Sequence, residues 1–405
     1  MASKITRSST RVRGFSDAEM DFQLMRSLGV VCYGGGALGE VLSLVGSIKE
    51  GDPVSWTREF SALGERVAAM GEEALAKNHT VSAHNHFLRS SMYYRAAEYY
   101  EDPFKLTHRK LGLKSRDTFI KAAEFFDPPV EVLKIPYEDT WMPGYFLRPS
   151  TDGARRKTVI IVSGFDGSDE ELYFQCGTAA LERGYNVMIF AGPGQTGMLR
   201  FHPDLKFRPD YEVPISAAVD YALSIKEVDP DRLALYGISF GGYFSARGAA
   251  FEPRLKAVIP NSPIVDLHAY MVAFLGPEAL EDPNDITLEE ANALTGEELP
   301  PADKWAIKII CWRYGVLSFK AWLKRLEEFR LGDAVSNITC PSLALVGEGE
   351  GSEAVTQTDT YCSGVSGPVT RHVFTVAQGA DSHCQLNNLA LSCAVVYDWL
   401  DELFG

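Results

Sequence analysis

Residues 236–243 read Tyr-Gly-Ile-Ser-Phe-Gly-Gly-Tyr, which sets Ser239 between Gly237 and Gly241 directly after a short apolar run. A serine hydroxyl becomes a nucleophile when a base takes its proton, and a glycine-flanked bend between strand and helix is one way to present it. The base is expected after the last strand, where Gly379-Ala-Asp-Ser-His-Cys-Gln-Leu-Asn387 carries His383. The chain order nucleophile, acid, histidine then places the carboxylate in Gly347-Glu-Gly-Glu-Gly-Ser-Glu-Ala354, a loop with three glutamates and no aspartate. Glu350 is favoured because the chain has left the strand there and can turn towards His383; Glu348 and then Glu353 remain as alternatives. An attacked carbonyl also needs two backbone N–H donors. Phe240, next to the serine, supplies one, and Phe165 or Asp166 in Ser163-Gly-Phe-Asp-Gly-Ser168 is expected to supply the other.

These residues need a frame. Val130–Tyr137 and Met142–Pro149 read as a strand hairpin turning at Glu138-Asp139. Apolar strands follow at 157–164, 186–191, 233–236, 255–260, 342–346 and 371–376, with helix-compatible segments between most of them. That alternation predicts an α/β fold with a mostly parallel sheet covered on both faces. Ahead of it, residues 15 to 125 read as helical. Within 56–75, Phe60, Leu63, Val67, Met70 and Ala74 form an apolar stripe that Leu75 widens. A second helix is expected over 83–100, and Asp117 is placed to cap a third. Between Pro263 and Cys340 no good strand occurs, which suggests a helical lid. The expected organisation is a helical N-terminal domain over 1–130, a core formed by 131–264 with 336–405, and a lid insertion over 265–335.

Composition narrows the rest. A formal charge of −15 without a basic aromatic cluster argues against nucleic acid and anionic membranes as partners. The run 30–46 is broken by Glu40 and glycines and reads as a buried or loosely helical segment rather than a membrane span. No secretory signal is evident, and seven scattered cysteines without a Cys-x-x-Cys pair fit reduced thiols, so a cytoplasmic location is expected. His84 and His86, two apart on a helix, do not share a face, and no metal or cofactor is expected. Ala191-Gly-Pro-Gly-Gln-Thr-Gly197 lacks the Lys and Ser/Thr of a phosphate loop and reads as a place where backbones pass closely. The aromatic N-terminal helices offer a surface for a homodimer.

Together, Leu88-Arg-Ser-Ser-Met-Tyr-Tyr-Arg-Ala-Ala-Glu-Tyr-Tyr100, Ala191-Gly-Pro-Gly-Gln195, Gly237-Ile-Ser-Phe-Gly-Gly242 and Gly379-Ala-Asp-Ser-His-Cys-Gln-Leu-Asn-Asn388 resemble the alpha/beta-hydrolase superfamily. The resemblance is to a branch with a helical N-terminal domain, which includes dihydroxypseudooxynicotine hydrolase, fungal heptaketide-shortening hydrolases of melanin pathways and other polyketide-cluster hydrolases. It implies Ser239 as nucleophile, His383 as base and Glu350 in the place usually held by aspartate. It also implies an acidic side chain near the first long strand, matched by Glu170 or Glu171. The expected activity is hydrolysis of an ester, or of a carbon–carbon bond beside a carbonyl, in an aromatic or polyketide-like small molecule, through an acyl-enzyme. Tyr93, Tyr94, Tyr243, Glu170 and Glu171 are candidate pocket residues. Acyl transfer or lactone formation from the same acyl-enzyme, and a non-catalytic hydrolase-like binding protein, are the alternatives.

Overall fold

The computed structural model describes residues 4–281 and 284–405. Two compact units emerge. Among the described residues, one gathers 4–10, 130–281 and 323–405; the other gathers Arg11–Pro129 and Asn284–Trp322.

The first unit is built on an eight-stranded sheet: β1 Glu131–Tyr137, β2 Thr140–Leu147, β3 Arg156–Val162, β4 Asn186–Phe190, β5 Val228–Ile238, β6 Ala257–Asn261, β7 Ser342–Gly347 and β8 Val369–Phe374. Its order is β1-β2-β4-β3-β5-β6-β7-β8. The β1–β2 and β2–β4 pairs are antiparallel and the others parallel. Val159 to Val162 and Leu233 to Leu235 are fully buried, as expected of central strands covered on both faces. Because β3, β5, β6 and β7 run side by side in one direction, their C-terminal ends open on one edge of the sheet. The loops bearing Phe165, Ser239, Ser262 and Glu350 all leave from that edge, which is where open parallel sheets gather their sites.

The second unit is helical, with long helices at Pro53–Ala76, Thr80–Tyr100, Leu106–Ala123 and Pro301–Tyr314. Its core joins Trp56, Phe60, Leu63, Val67, Tyr93, Tyr94 and Tyr100. Met70 and Leu75, expected on the buried stripe, are exposed at 42% and 38%. The stripe runs instead through Gly64, Val67, Gly71 and Ala74. Bare glycines let aromatic rings from the next helix press on the backbone: a Cβ at Gly71 would lie 2.6 Å from the Phe87 ring, and one at Gly64 2.9 Å from Tyr94. The third helix begins at Leu106, so Asp117 lies inside it rather than at its cap. Its buried face of Leu111, Ser115, Thr118, Phe119 and Ala122 includes two hydroxyl residues, and hydropathy alone understates it. The helix Ala18–Gly29 falls within the stretch 15–125 read as helical, and Pro301–Tyr314 within the interval read as a helical lid. Within 30–46 the chain forms a short 3-10 turn and a five-residue helix.

Phe87 is fully buried against Gly71. Phe87→Ala is expected to destabilise the helical unit by about 3–5 kcal/mol, read as a lowered thermal melting temperature.

Candidate active site

The site is assembled around the bend at the end of β5. Ser239 has φ 63°, in the left-handed region, and is followed by the helix Gly241–Phe251. Glycine is required on both sides by close approach. A Cβ at Gly237 would lie 1.9 Å from the Gly241 carbonyl oxygen, and one at Gly242 would lie 1.8 Å from the Ser262 carbonyl oxygen. The Ser239 N–H donates to the Asn261 carbonyl at 2.6 Å, which ties the bend to the end of β6.

His383 lies in the turn after β8, buried to 6% exposure. Its Nε2 accepts from the Ser239 hydroxyl at 2.8 Å, and its Nδ1–H donates to Glu350 Oε2 at 2.5 Å. Glu350 is fully buried. Both its oxygens receive the Ser262 hydroxyl at 2.8 Å, and Oε1 also receives the Gly347 N–H at 2.8 Å. The other glutamates of this loop are engaged elsewhere. Glu348 is exposed and accepts from the Val376 N–H, while Glu353 accepts from Gln357 Nε2 at 2.9 Å. Burial pulls the imidazole towards its neutral form, but the neighbouring Cys384 sulfur and the Glu350 carboxylate outweigh it, so His383 sits above its ordinary 6.5. Carboxylate, imidazole and hydroxyl thus stand in one hydrogen-bonded line, able to draw the serine proton onto nitrogen.

The other candidates are distributed as follows. Phe240 N faces Gly164, where a Cβ would come within 2.6 Å of it, so a bare glycine keeps that amide uncovered. Phe165 and Asp166 are half-buried in the loop after β3, with the Phe165 ring stacked on Phe207. Glu170 is buried with Arg200 at 3.0 Å and the Tyr145 hydroxyl at 2.8 Å. Burial works to raise its pKa, but Arg200 and the Tyr145 hydrogen bond prevail and hold it low. Glu171 is buried and its N–H caps onto Ser168 Oγ. Tyr243 is fully buried, donating to the Pro209 carbonyl at 2.7 Å. Tyr93 and Tyr94 belong to the core of the helical unit, and the Tyr93 hydroxyl donates to Glu40 at 2.6 Å. In the glycine-rich loop 191–197, a Cβ at Gly197 would lie 2.2 Å from the Asp169 side chain, and one at Gly194 2.3 Å from the Phe207 ring and 2.6 Å from the Phe207 backbone nitrogen, so side chains crowd this loop as well as backbone. No group of three or more potential metal ligands occurs among the described residues.

Sequence reasoning missed Asn261 and Ser262. Asn261 takes the Ser239 N–H on its carbonyl while its side-chain amide donates to Gln385, two residues past His383, at 2.8 Å. Ser262 grips Glu350. The one available signal was their position, directly after the strand Leu255–Pro260 and beside the expected bend.

Residues 173–305 match the prolyl oligopeptidase family, Peptidase_S9. Hydrolase ORFZ of Pyricularia oryzae is 31% identical, over 96% of this chain and 98% of the relative. Alpha/beta hydrolase gkaG of Penicillium citrinum is 31% identical, over 84% of this chain and 83% of its own length. The chain is an alpha/beta-hydrolase. The crystal structure of the 2,6-dihydroxy-pseudo-oxynicotine hydrolase superposes with a TM-score of 0.72 at 22% identity, covering 93% of this hydrolase and 95% of that chain, and so shares its fold. Membership associates the hydrolase with serine-dependent chemistry on small organic carbonyl compounds. No helix among the described residues is long and apolar enough to cross a membrane.

Ser262→Ala removes the hydroxyl that faces both Glu350 oxygens. Turnover of a p-nitrophenyl ester is expected to fall roughly 10- to 100-fold, since a buried charge-assisted hydrogen bond is worth about 1.5–3 kcal/mol, with the folded state retained by circular dichroism.

Proposed function

We propose that this alpha/beta-hydrolase is a serine hydrolase that cleaves a carbonyl-bearing aromatic or polyketide-like metabolite through an acyl-enzyme. The reading is carried by the continuous line from the Glu350 carboxylate through His383 to the Ser239 hydroxyl. In it, His383 Nε2 takes the serine proton as Oγ attacks the carbonyl carbon. The oxyanion is held by the Phe240 N–H with a second amide from Phe165 or Asp166. Collapse expels the leaving group, which takes the proton from His383: an alcohol for an ester, or a stabilised carbanion for a carbon–carbon bond. Water, deprotonated by the same imidazole, then releases the acid and restores Ser239. Glu350 orients the imidazole and stabilises its charged form.

Support for a carbonyl substrate comes from membership of this superfamily and from relatives named as hydrolases. Half-buried Phe165, next in the chain to Gly164 at the Ser239 bend and stacked on the buried Phe207 ring, offers an aromatic face beside that bend, which supports an aromatic substrate.

Four measurements test the proposal. A fluorophosphonate should label Ser239 alone, as read by peptide mass; an unlabelled, folded chain overturns it. Glu350→Gln should lower kcat on the order of 10³-fold or more, while Glu348→Gln stays near wild type, and the opposite ranking would assign the acid role to Glu348. Only the neutral imidazole accepts the serine proton, so kcat/KM should rise with pH through a value above 6.5. Loss of the carboxylate in Glu350→Gln should move that limb to lower pH. Separate incubation with an aryl ester and a β-diketone, with products identified by mass, distinguishes the two bond types.

A further inference from the structure

The acid loop 347–351 alternates glycine with glutamate, and the three glycines answer to different neighbours. A Cβ at Gly347 would lie 2.3 Å from the Asp381 carbonyl oxygen, in the turn that carries His383. One at Gly349 would meet Asp381 Oδ2 at 2.4 Å and the Ser9 nitrogen at 2.7 Å, and one at Gly351 would lie 2.3 Å from the Lys4 carbonyl oxygen. Two of these glycines are therefore kept bare by a segment more than 300 positions away in the chain, residues 4–10, which cross the loops of both Glu350 and His383.

The crossing is hydrogen-bonded along its length. Lys4 N–H donates to Ser352 Oγ at 3.0 Å, and the Lys4 carbonyl accepts from the Glu353 N–H at 3.1 Å. Ile5 is buried, with its N–H on the Ala273 carbonyl at 3.1 Å. At the centre, two consecutive residues reach the two loops. Thr6 N–H donates to the Glu350 carbonyl at 2.8 Å, and the Arg7 carbonyl accepts the His383 N–H at 2.7 Å. The Thr6 hydroxyl adds a bond to the Gly349 carbonyl. The far end is clamped by Asp381, fully buried two residues before His383. Its Oδ2 accepts from Ser9 N–H at 2.8 Å and Thr10 N–H at 3.1 Å, and its Oδ1 from the Thr10 hydroxyl at 2.6 Å and Asn387 Nδ2 at 2.9 Å. Burial would raise the Asp381 pKa, yet these donors hold it below the usual carboxylate range, so the clamp is charged.

We propose that residues 4–10 form a strap that sets the spacing of Glu350 and His383, and that Thr10 and Asp381 are positioning residues for the triad. The bonds at Thr6 and Arg7 fix the main chain of acid and base relative to one another, so the strap shares in holding the 2.5 Å contact between their side chains. This rests on the reading of Ser239, His383 and Glu350 as the reacting groups.

The test separates the two ideas. Fluorophosphonate labelling of the full-length chain comes first, and failure there removes the catalytic reading itself. Given labelling, a chain lacking residues 4–10 should show kcat and labelling rate lowered on the order of 10²-fold with KM nearly unchanged, the scale expected of a misplacement of about 1 Å. Its acid limb should also move to lower pH as His383 loses the close carboxylate, a change that general loosening of the fold would not produce. In the full chain, Thr10→Val should lower kcat several-fold and shift the limb in the same direction, while Thr10→Ser, which keeps the hydroxyl, should restore both. A strapless chain that folds and keeps wild-type kcat and pH profile overturns the proposal. Where the deletion fails to fold, the Thr10 pair decides: identical kcat and pH profiles for Val and Ser overturn it.

Discussion

The bend at Ser239 is the constraint on which the rest depends. A non-glycine residue in the left-handed region is strained by roughly 1–3 kcal/mol and persists only where its surroundings over-determine it. Here the surroundings are a glycine at 237 against Gly241, a glycine at 242 against Ser262, and the Asn261 carbonyl receiving the Ser239 N–H. The strain holds the hydroxyl clear of the sheet edge and leaves the following amide of Phe240 beside a bare Gly164. The Ser239 hydroxyl and the Phe240 amide are thus set by the same turn.

The end of β6 turns that local bend into a three-loop assembly. Asn261 touches Ser239 through its carbonyl and the His383 turn through its side chain, and Ser262 holds Glu350. Parallel neighbours β5, β6 and β7 bring these groups to one height. Glu350 is fully buried, and its carboxylate receives the Ser262 hydroxyl, the Gly347 N–H and His383 Nδ1–H. A buried acceptor left without a partner costs about 1–3 kcal/mol, which makes the hydroxyl of Ser262 and the amide of Gly347 part of what defines the charge.

Buried charge recurs nearby in two further forms. Glu170 is neutralised by Arg200 inside the unit, and Asp381 is held by amides and a hydroxyl with no cation among these donors. The first is a charge pair whose attraction offsets its desolvation, and breaking it leaves an uncompensated charge. The second resembles an anion seated in successive backbone N–H groups, which orders the chain that supplies them. Both lie close in sequence to residues of the site, Glu170 after the Phe165 loop and Asp381 before His383.

How much of this was legible beforehand follows from the range of the forces involved. Strand and helix periodicity, the glycine-flanked serine and the order of serine, acid loop and histidine are local or ordinal features, and they survive in a linear text. The choice of Glu350 over its two neighbours was an argument about where a loop turns, and only the folded chain places one carboxylate against the imidazole and aims another at Val376. Asp117 and Met70 were misplaced because glycine, serine and threonine can line a buried helix face when large rings lie across them. Asn261, Ser262 and the segment 4–10 were invisible for a different reason. Their roles rest on backbone groups and hydroxyls that meet partners across the sheet or hundreds of positions away, and such hydrogen bonds leave no periodic trace in the order of residues.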